Sequence, residues 1–273
     1  MKETKELEGY KEYLFQNELA QGTISIYIRQ AKRLTDYFQK MEITKGNMIA
    51  YKKYLQSFNH KASTVNLHII ASNSYLKYLG YEECLIKTER IQKKHCLENL
   101  LSLEEYRCIL AYAKSSGREK YYFIMRVFAY TGIRVSELAF LTVEALERGK
   151  FIVDNKGKIR EVYIPNGLVQ VLKIYCEKNA IQEGVIFCGK EQKPIGRNAI
   201  YKMFLYLADM AGVKKEKAHP HNFRHLFAVT YMKYYANLTE LADILGHSSL
   251  ETTRIYTTTT AEERRNKLEG LDF

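Results

Sequence analysis

Apolar positions along most of this chain recur every three or four residues, the spacing of one face of an α-helix. In TISIYIRQAKRLTDYF, residues 23–38, Ile24, Ile28, Ala31, Leu34 and Phe38 fall on one stripe, and Arg29, Lys32 and Arg33 fall largely off it. Residues 7–15, 48–58 and 64–79 each carry an apolar face of their own, and Gly80 closes the last of them. Residues 1–92 therefore read as a small basic bundle of four helices.

The polar run QKKHCLEN then interrupts the pattern, and residues 93–98 are expected to link two domains. Beyond it, Ser102 and Glu105 form a capping box that opens a new helix, and the composition shifts to apolar runs such as YYFIMRVFAYTGI. One segment changes period: FIVDNKGKIREVYIP, residues 151–165, places two β-branched and aromatic runs around Asn155-Lys156-Gly157-Lys158, the signature of a hairpin. Helical spacing returns over 168–177 and 197–211, and a last helix is predicted from Ala261, capped by Thr260 with Glu263. The expected fold is mainly α with a small antiparallel β-sheet: a helical domain over 1–92 and a larger α+β domain over 99–273.

Composition narrows the class. With 273 residues, 46% of them hydrophobic and only three prolines, the chain can bury a sizeable core. Its apolar runs fall short of the roughly 18 residues of a membrane span, and MKETKELEGYKEY lacks the apolar stretch of a signal peptide, so no membrane partner and a cytoplasmic location are expected. Five scattered cysteines without C-x-x-C spacing point to reduced thiols. The net charge of +11 favours polyanions. Between Thr23 and Leu79 nine Lys/Arg stand against two acids, Asp36 and Glu42, which makes Arg29, Lys32 and Arg33 candidates for contact with DNA phosphates.

Two metal or nucleotide motifs fail on their own chemistry. Gly184 to Lys190 spells G-x-x-x-x-G-K, yet Glu191 stands where a phosphate loop needs Ser or Thr. His219, His221 and His225 have the spacing of metal ligands, but Arg224 among them repels a cation. The five aspartates are dispersed, which disfavours a two-metal nuclease. Neither metal nor cofactor is expected.

A different set carries chemistry. In GHSSLETTRIY, Gly246 ends one helix and Ser248-Ser-Leu-Glu251 opens another, so His247 and Tyr256 belong to separate elements that can converge. A phenol with a pKa of about 10 needs cations or a base beside it to act as a nucleophile. His221 and Arg224 lie three apart on one helix face, Arg134 follows Gly132 at a helix start, and Lys156 sits at the hairpin tip. Together these suit attack on a phosphodiester without metal, with guanidiniums on the non-bridging oxygens, lysine protonating the departing sugar oxygen and histidine assisting the phenol proton. Singly each has an ordinary explanation: Arg134 could pair with Glu137, Lys156 could be a turn lysine, and Tyr256 a core aromatic.

The order of motifs changes the weight. TGIRVSEL (131–138), the NKGK turn, HNFRH (221–225) and LGHSSLETTRIY (245–256) closely resemble the tyrosine recombinases, the family of the phage integrases and Xer-type enzymes, and the basic bundle is similar to that family's SAM-like core-binding domain. The resemblance implies that Arg134, Lys156, His221, Arg224 and His247 surround the scissile phosphate while Tyr256 forms a 3′-phosphotyrosyl link and frees a 5′-hydroxyl. It also implies double-stranded DNA with paired core sites, a homo-tetramer exchanging strands through a Holliday junction, and a C-terminal helix docking on a neighbour. Integration, excision or resolution, as in a mobile element, would be the role. Departures are small: Asn155 precedes the lysine turn where the family usually has Gly, leaving Lys158 as a rival acid, and Phe223 replaces the usual Leu, a change expected to affect packing alone. The basic bundle starts almost at once, so no arm-binding domain is expected. A type IB topoisomerase-like enzyme and a DNA-binding protein with a decayed site are the competing readings.

Overall fold

A computed structural model describes residues 2–39, 41–91, 99–155, 158–189, 192–247, 249–257 and 269. The chain forms two compact units, Met1–Lys94 and His95–Phe273. The predicted linker, the lysine turn and the predicted C-terminal helix lie largely outside the described residues.

The first unit holds α1 (Lys2–Gln16), α2 (Gln21–Phe38), α3 (Lys45–Ser57) and α4 (Ala62–Tyr78). The predicted stripe of α2 is buried at Ile24, Ala31, Leu34 and Phe38, against a core that includes Tyr10, Leu14, Met48, Tyr51, Leu55, Ile69 and Leu76. Thr44 caps α3 by accepting from the Asn47 amide. Arg29 and Lys32 are exposed, whereas Arg33 is half-buried with its guanidinium 5.0 Å from the centre of the Phe58 ring.

The chain leaves this bundle as an extended segment fastened to α4. The Asn73 side chain donates to the Ile86 carbonyl at 2.8 Å and accepts from its amide at 3.1 Å. Asn66, two turns earlier, does the same with Glu89 at 3.0 and 2.7 Å. A carboxamide offers the donor–acceptor pair of a peptide group, so each asparagine stands in for a neighbouring strand. Lys52 donates to the Lys87 carbonyl at 2.8 Å and Lys45 to that of Leu85. Two of the nine cations counted toward a phosphate surface thus serve backbone carbonyls instead.

The second unit is built on α5 (Leu103–Ser115), α6 (Glu119–Thr131), α8 (Asn166–Lys178), α9 (Arg197–Met210) and α10 (Pro220–Tyr235), with the short α7 (Val143–Arg148) before the hairpin. The capping box of α5 is present: Ser102 Oγ accepts from the Glu105 amide at 3.1 Å, and the Glu105 carboxylate accepts from the Ser102 amide at 2.9 Å. Phe128, Phe204, Leu207 and Phe223 meet in the core. Phe223 lies 4.8 Å from Phe204, ring centre to ring centre, so the departure from Leu is a packing change as expected.

Strands β1 (Lys150–Asn155) and β2 (Lys158–Tyr163) pair antiparallel from Lys150↔Tyr163 to Asn155↔Lys158. Phe151, Val153 and Val162 face the core while Ile152 and Ile159 face solvent. Arg160 shares the inward phase with Val162, because strand side chains alternate. Within the stretch from Gly184 to Gly189, Val185 bridges to Thr142 and Cys188 to Pro194.

Two sequence expectations shift. The segment after Arg134 is a six-residue 3₁₀ turn, Val135–Phe140, instead of an α-helix, and the Arg134 amide at its start donates to Glu137 rather than standing free for a phosphate. The chain after Gly246 is capped by Ser249, one residue later than expected, and runs as α12 (Leu250–Thr253) into a 3₁₀ turn, Arg254–Thr257, which carries Tyr256. Before it, α11 (Leu238–Leu245) ends at Gly246 as expected.

Candidate active site

Two left-handed glycines set the backbone of the site. Gly132 (φ +61°) ends α6, and a Cβ there would lie 2.5 Å from Phe227 and 2.9 Å from Leu245. Gly246 (φ +63°) ends α11, and a Cβ there would lie 2.6 Å from the Arg160 side chain. Left-handed backbone strains any residue with a Cβ, and here close packing adds to that strain.

These reversals aim unpaired carbonyls at arginines. The last carbonyls of a helix have no partner within it and carry the negative end of its dipole. At the end of α11, the Ile244 carbonyl accepts from Arg160 at 2.8 Å, that of Leu245 from Arg224 at 2.7 Å, and that of Gly246 from Arg134 at 3.1 Å. Arg224 also donates to the Gly132 carbonyl at 2.7 Å. Three successive carbonyls thereby gather guanidiniums from three distant parts of the chain.

One carboxylate completes the cluster. Glu137, 2% exposed, accepts from the Arg134 amide at 2.8 Å, from the Arg134 guanidinium at 2.9 Å and from Arg160 at 2.6 Å. Burying a charge this deeply is tolerable only with partners of this kind. Arg224 is 1% exposed, and burial, reinforced by Arg134, brings its pKa down to about 10. It therefore stays charged at neutral pH, and three guanidiniums face a single carboxylate.

That excess of positive charge acts on the histidines. His247 is pushed down to about 4 by burial and then by Arg224 and Arg134, so its ring is neutral. Because a guanidinium only donates, the 2.9 Å contact from Arg224 to His247 Nε2 makes that nitrogen an acceptor. The ring proton then sits on Nδ1, which donates to Thr253 Oγ1 at 2.7 Å. His221 is also lowered, chiefly by burial and then by Arg224.

Arg134, His221, Arg224 and His247 line one cleft of about 570 Å³, which Arg197, Tyr201 and His219 help to close. Tyr256 is 8% exposed and absent from that lining. Burial pushes its phenol up to about 12, with Arg224 pulling the other way. Its oxygen lies 2.6 Å from His225 Nδ1, so the histidine that meets the phenol is neither His221 nor His247. Lys156 lies outside the described residues, as does the side chain of its rival Lys158, and Arg29, Lys32 and Arg33 belong to the first unit. Among the described residues no group of three His, Cys, Asp or Glu is placed to hold a metal ion.

Sequence reasoning missed three members of this arrangement. Glu137 entered only as a possible partner of Arg134, and His225 only as part of a rejected metal motif. Arg160 had a readable signal: it occupies the inward phase of a strand beside Val162, where a charge demands a buried partner.

Residues 99–263 match the phage integrase family, and residues 7–83 match the phage integrase N-terminal SAM-like domain. The chain belongs to the phage integrase family. Among relatives, tyrosine recombinase XerA of Thermococcus onnurineus is 28% identical over 279 residues, covering 97% of this chain and 96% of XerA. Tyrosine recombinase XerD of Staphylococcus aureus is 27% identical over 278 residues, covering 92% of each chain. In fold, the chain resembles XerH site-specific recombinase bound to palindromic difH substrate in a post-cleavage complex, with TM-score 0.72, 21% identity, and coverage of 90% of this chain and 79% of XerH.

Proposed function

We propose that this chain is a site-specific DNA recombinase that cuts and rejoins duplex DNA through a 3′-phosphotyrosyl intermediate on Tyr256. The observation that carries the reading is the convergence of Arg134, His221, Arg224 and His247 on one cationic cleft, whose lining reaches Thr252 on α12, the helix that runs into the Tyr256 turn. Arg134 and Arg224 keep guanidinium N–H groups beyond those engaged by carbonyls and Glu137, and these bind the non-bridging oxygens of the scissile phosphate. The arginines are already tied to α11 and Glu137, so little reorganisation accompanies the growth of negative charge in the transition state.

In the cleavage step the Tyr256 phenol passes its proton to a histidine of the cleft as its oxygen bonds to phosphorus, the bond from phosphorus to the 5′-oxygen breaks, and that oxygen takes a proton from Lys156 or Lys158. A 5′-hydroxyl from a second duplex then gives its proton back to the lysine and attacks the phosphotyrosyl ester, and the departing tyrosine oxygen recovers its proton from the histidine, which restores the phenol and joins the strands. The ester conserves the bond energy, so the chemistry needs neither a metal nor a nucleotide cofactor. Residues 1–92 serve as the core-binding domain, with Arg29 and Lys32 exposed for phosphate contact and Arg33 partly so, and residues 99–273 as the catalytic domain, joined by a linker over 93–98. Four copies, linked by their C-terminal helices, work on paired core sites in the cytoplasm, in Holliday-junction exchange of the integration, excision or resolution type.

The test uses a duplex selected by the protein from a random library, nicked at successive positions so that the freed strand diffuses away and cleavage is trapped. A covalent protein–DNA adduct is expected from the wild type and none from Tyr256→Phe. No wild-type adduct, or an undiminished one from the variant, defeats the proposal.

A further inference from the structure

The nucleophile assigned above is buried, and its hydroxyl is engaged by His225, a side chain outside the lining of the cleft. The Tyr256 ring packs in a small apolar cluster with Ala228, Leu241 and Leu245, outside the lining of the cationic cleft. Its only hydroxyl contact among the described residues is His225, with ring centres 5.5 Å apart and planes tilted by 56°. His225 follows Arg224 on α10, and its ring abuts that of His221 with centres 4.1 Å apart.

The direction of this hydrogen bond decides what His225 can do. Burial, then His221 and His219, push the His225 imidazole down to about 3, while the phenol lies near 12. Neither group is ionised at neutral pH, so the proton rests on the phenol oxygen and is donated to Nδ1, with the ring proton on Nε2. So weak a base does not remove the phenol proton. His247 is no freer to do so, since Arg224 occupies one ring nitrogen and Thr253 the other. The contact holds a neutral phenol in place.

We propose that His225 is a positioning residue that stores Tyr256 outside the cleft, and that breaking the Tyr256–His225 hydrogen bond precedes attack on DNA. The inference rests on the reading of Tyr256 as nucleophile. It makes the population of released phenol, rather than phosphate binding alone, a determinant of cleavage rate. Loss of one neutral hydrogen bond shifts such an equilibrium by about three- to tenfold.

Two measurements separate this from the function proposed above. In the free protein, acetylation of tyrosines by N-acetylimidazole is followed peptide by peptide, with the exposed Tyr234 and Tyr235 as internal references. His225→Phe keeps a ring but loses the acceptor, and Tyr256 is expected to react about three- to tenfold faster than in the wild type. His225→Asn retains an acceptor and should restore protection, and His225→Ala carries the same expectation as Phe should the larger ring impair folding. On the nicked duplex, His225→Phe should form adduct faster at unchanged DNA affinity. Unchanged acetylation of Tyr256, or slower adduct formation with DNA affinity intact, overturns the storage role. Protection lost in His225→Phe with no adduct from any variant upholds the storage contact and removes the nucleophile reading instead.

Discussion

At the scale of single residues, the site is a problem in keeping three guanidiniums together. Glu137 neutralises part of the charge and α11 supplies carbonyls for the rest. Burial, reinforced by Arg224 and Arg134 at His247 and by His221 and His219 at His225, keeps both rings neutral well below the ordinary histidine value of 6.5. The unfolded chain therefore binds protons near pH 6.5 that the fold refuses until about 4 at His247 and about 3 at His225. Stability from these groups is fully present above pH 6.5 and is lost as pH falls through that window. Thermal melts followed by circular dichroism should show a falling melting temperature from pH 6.5 to 4. His247→Gln, which cannot titrate, should make that decline shallower, and an unchanged slope would contradict the burial of a neutral ring. Arg134, His221, Arg224 and His247 were legible because their motifs are local. His225 and the Glu137–Arg160 pair were not, because each depends on a partner on another element, and the inward strand phase of Arg160 signals only that a partner is needed.

At the scale of elements, the C-terminus of α11 is the organiser. Its end could be placed from the sequence because a glycine after an apolar helical run stops a helix in left-handed backbone. What that end does could not, since the arginines bonded to carbonyls 244, 245 and 246 come from residues 160, 224 and 134. Gly246→Ala tests the arrangement. The left-handed conformation alone costs about 1–2 kcal/mol with a Cβ, and the clash with Arg160 adds to it. Urea denaturation should show a loss of at least that size, and trapped adduct formation should fall because Arg134 and Arg160 lose their anchor. The helix expected to start at Arg134 is a 3₁₀ turn, and its Glu137 carboxylate is committed to Arg134 and Arg160, a contact that periodicity does not encode.

At the scale of the molecule, a net charge of +11 is spread over two compact units, so binding to a nucleic-acid backbone should weaken steeply with salt. The slope of log affinity against log salt concentration should become less negative by about 0.9 for each phosphate contact removed. Arg29→Ala with Lys32→Ala is expected to reduce it by about two such contacts, whereas Lys52→Ala, whose amine is committed to a carbonyl, should change it little. Equal slopes for all variants would place the phosphate surface elsewhere.

The sequence by itself determined the helical period, the capping box of α5, the stop at Gly246, the paired strands of the hairpin and the family. All of these are written in residues close along the chain, where spacing translates directly into which face is buried. Only the tertiary structure decided which charges meet and which proton is held where. The Glu137–Arg160 pair, the neutral state of His247 and the docking of Tyr256 on His225 depend on burial and on distances between segments far apart in sequence. Such quantities exist once the core has packed and have no counterpart in the local pattern.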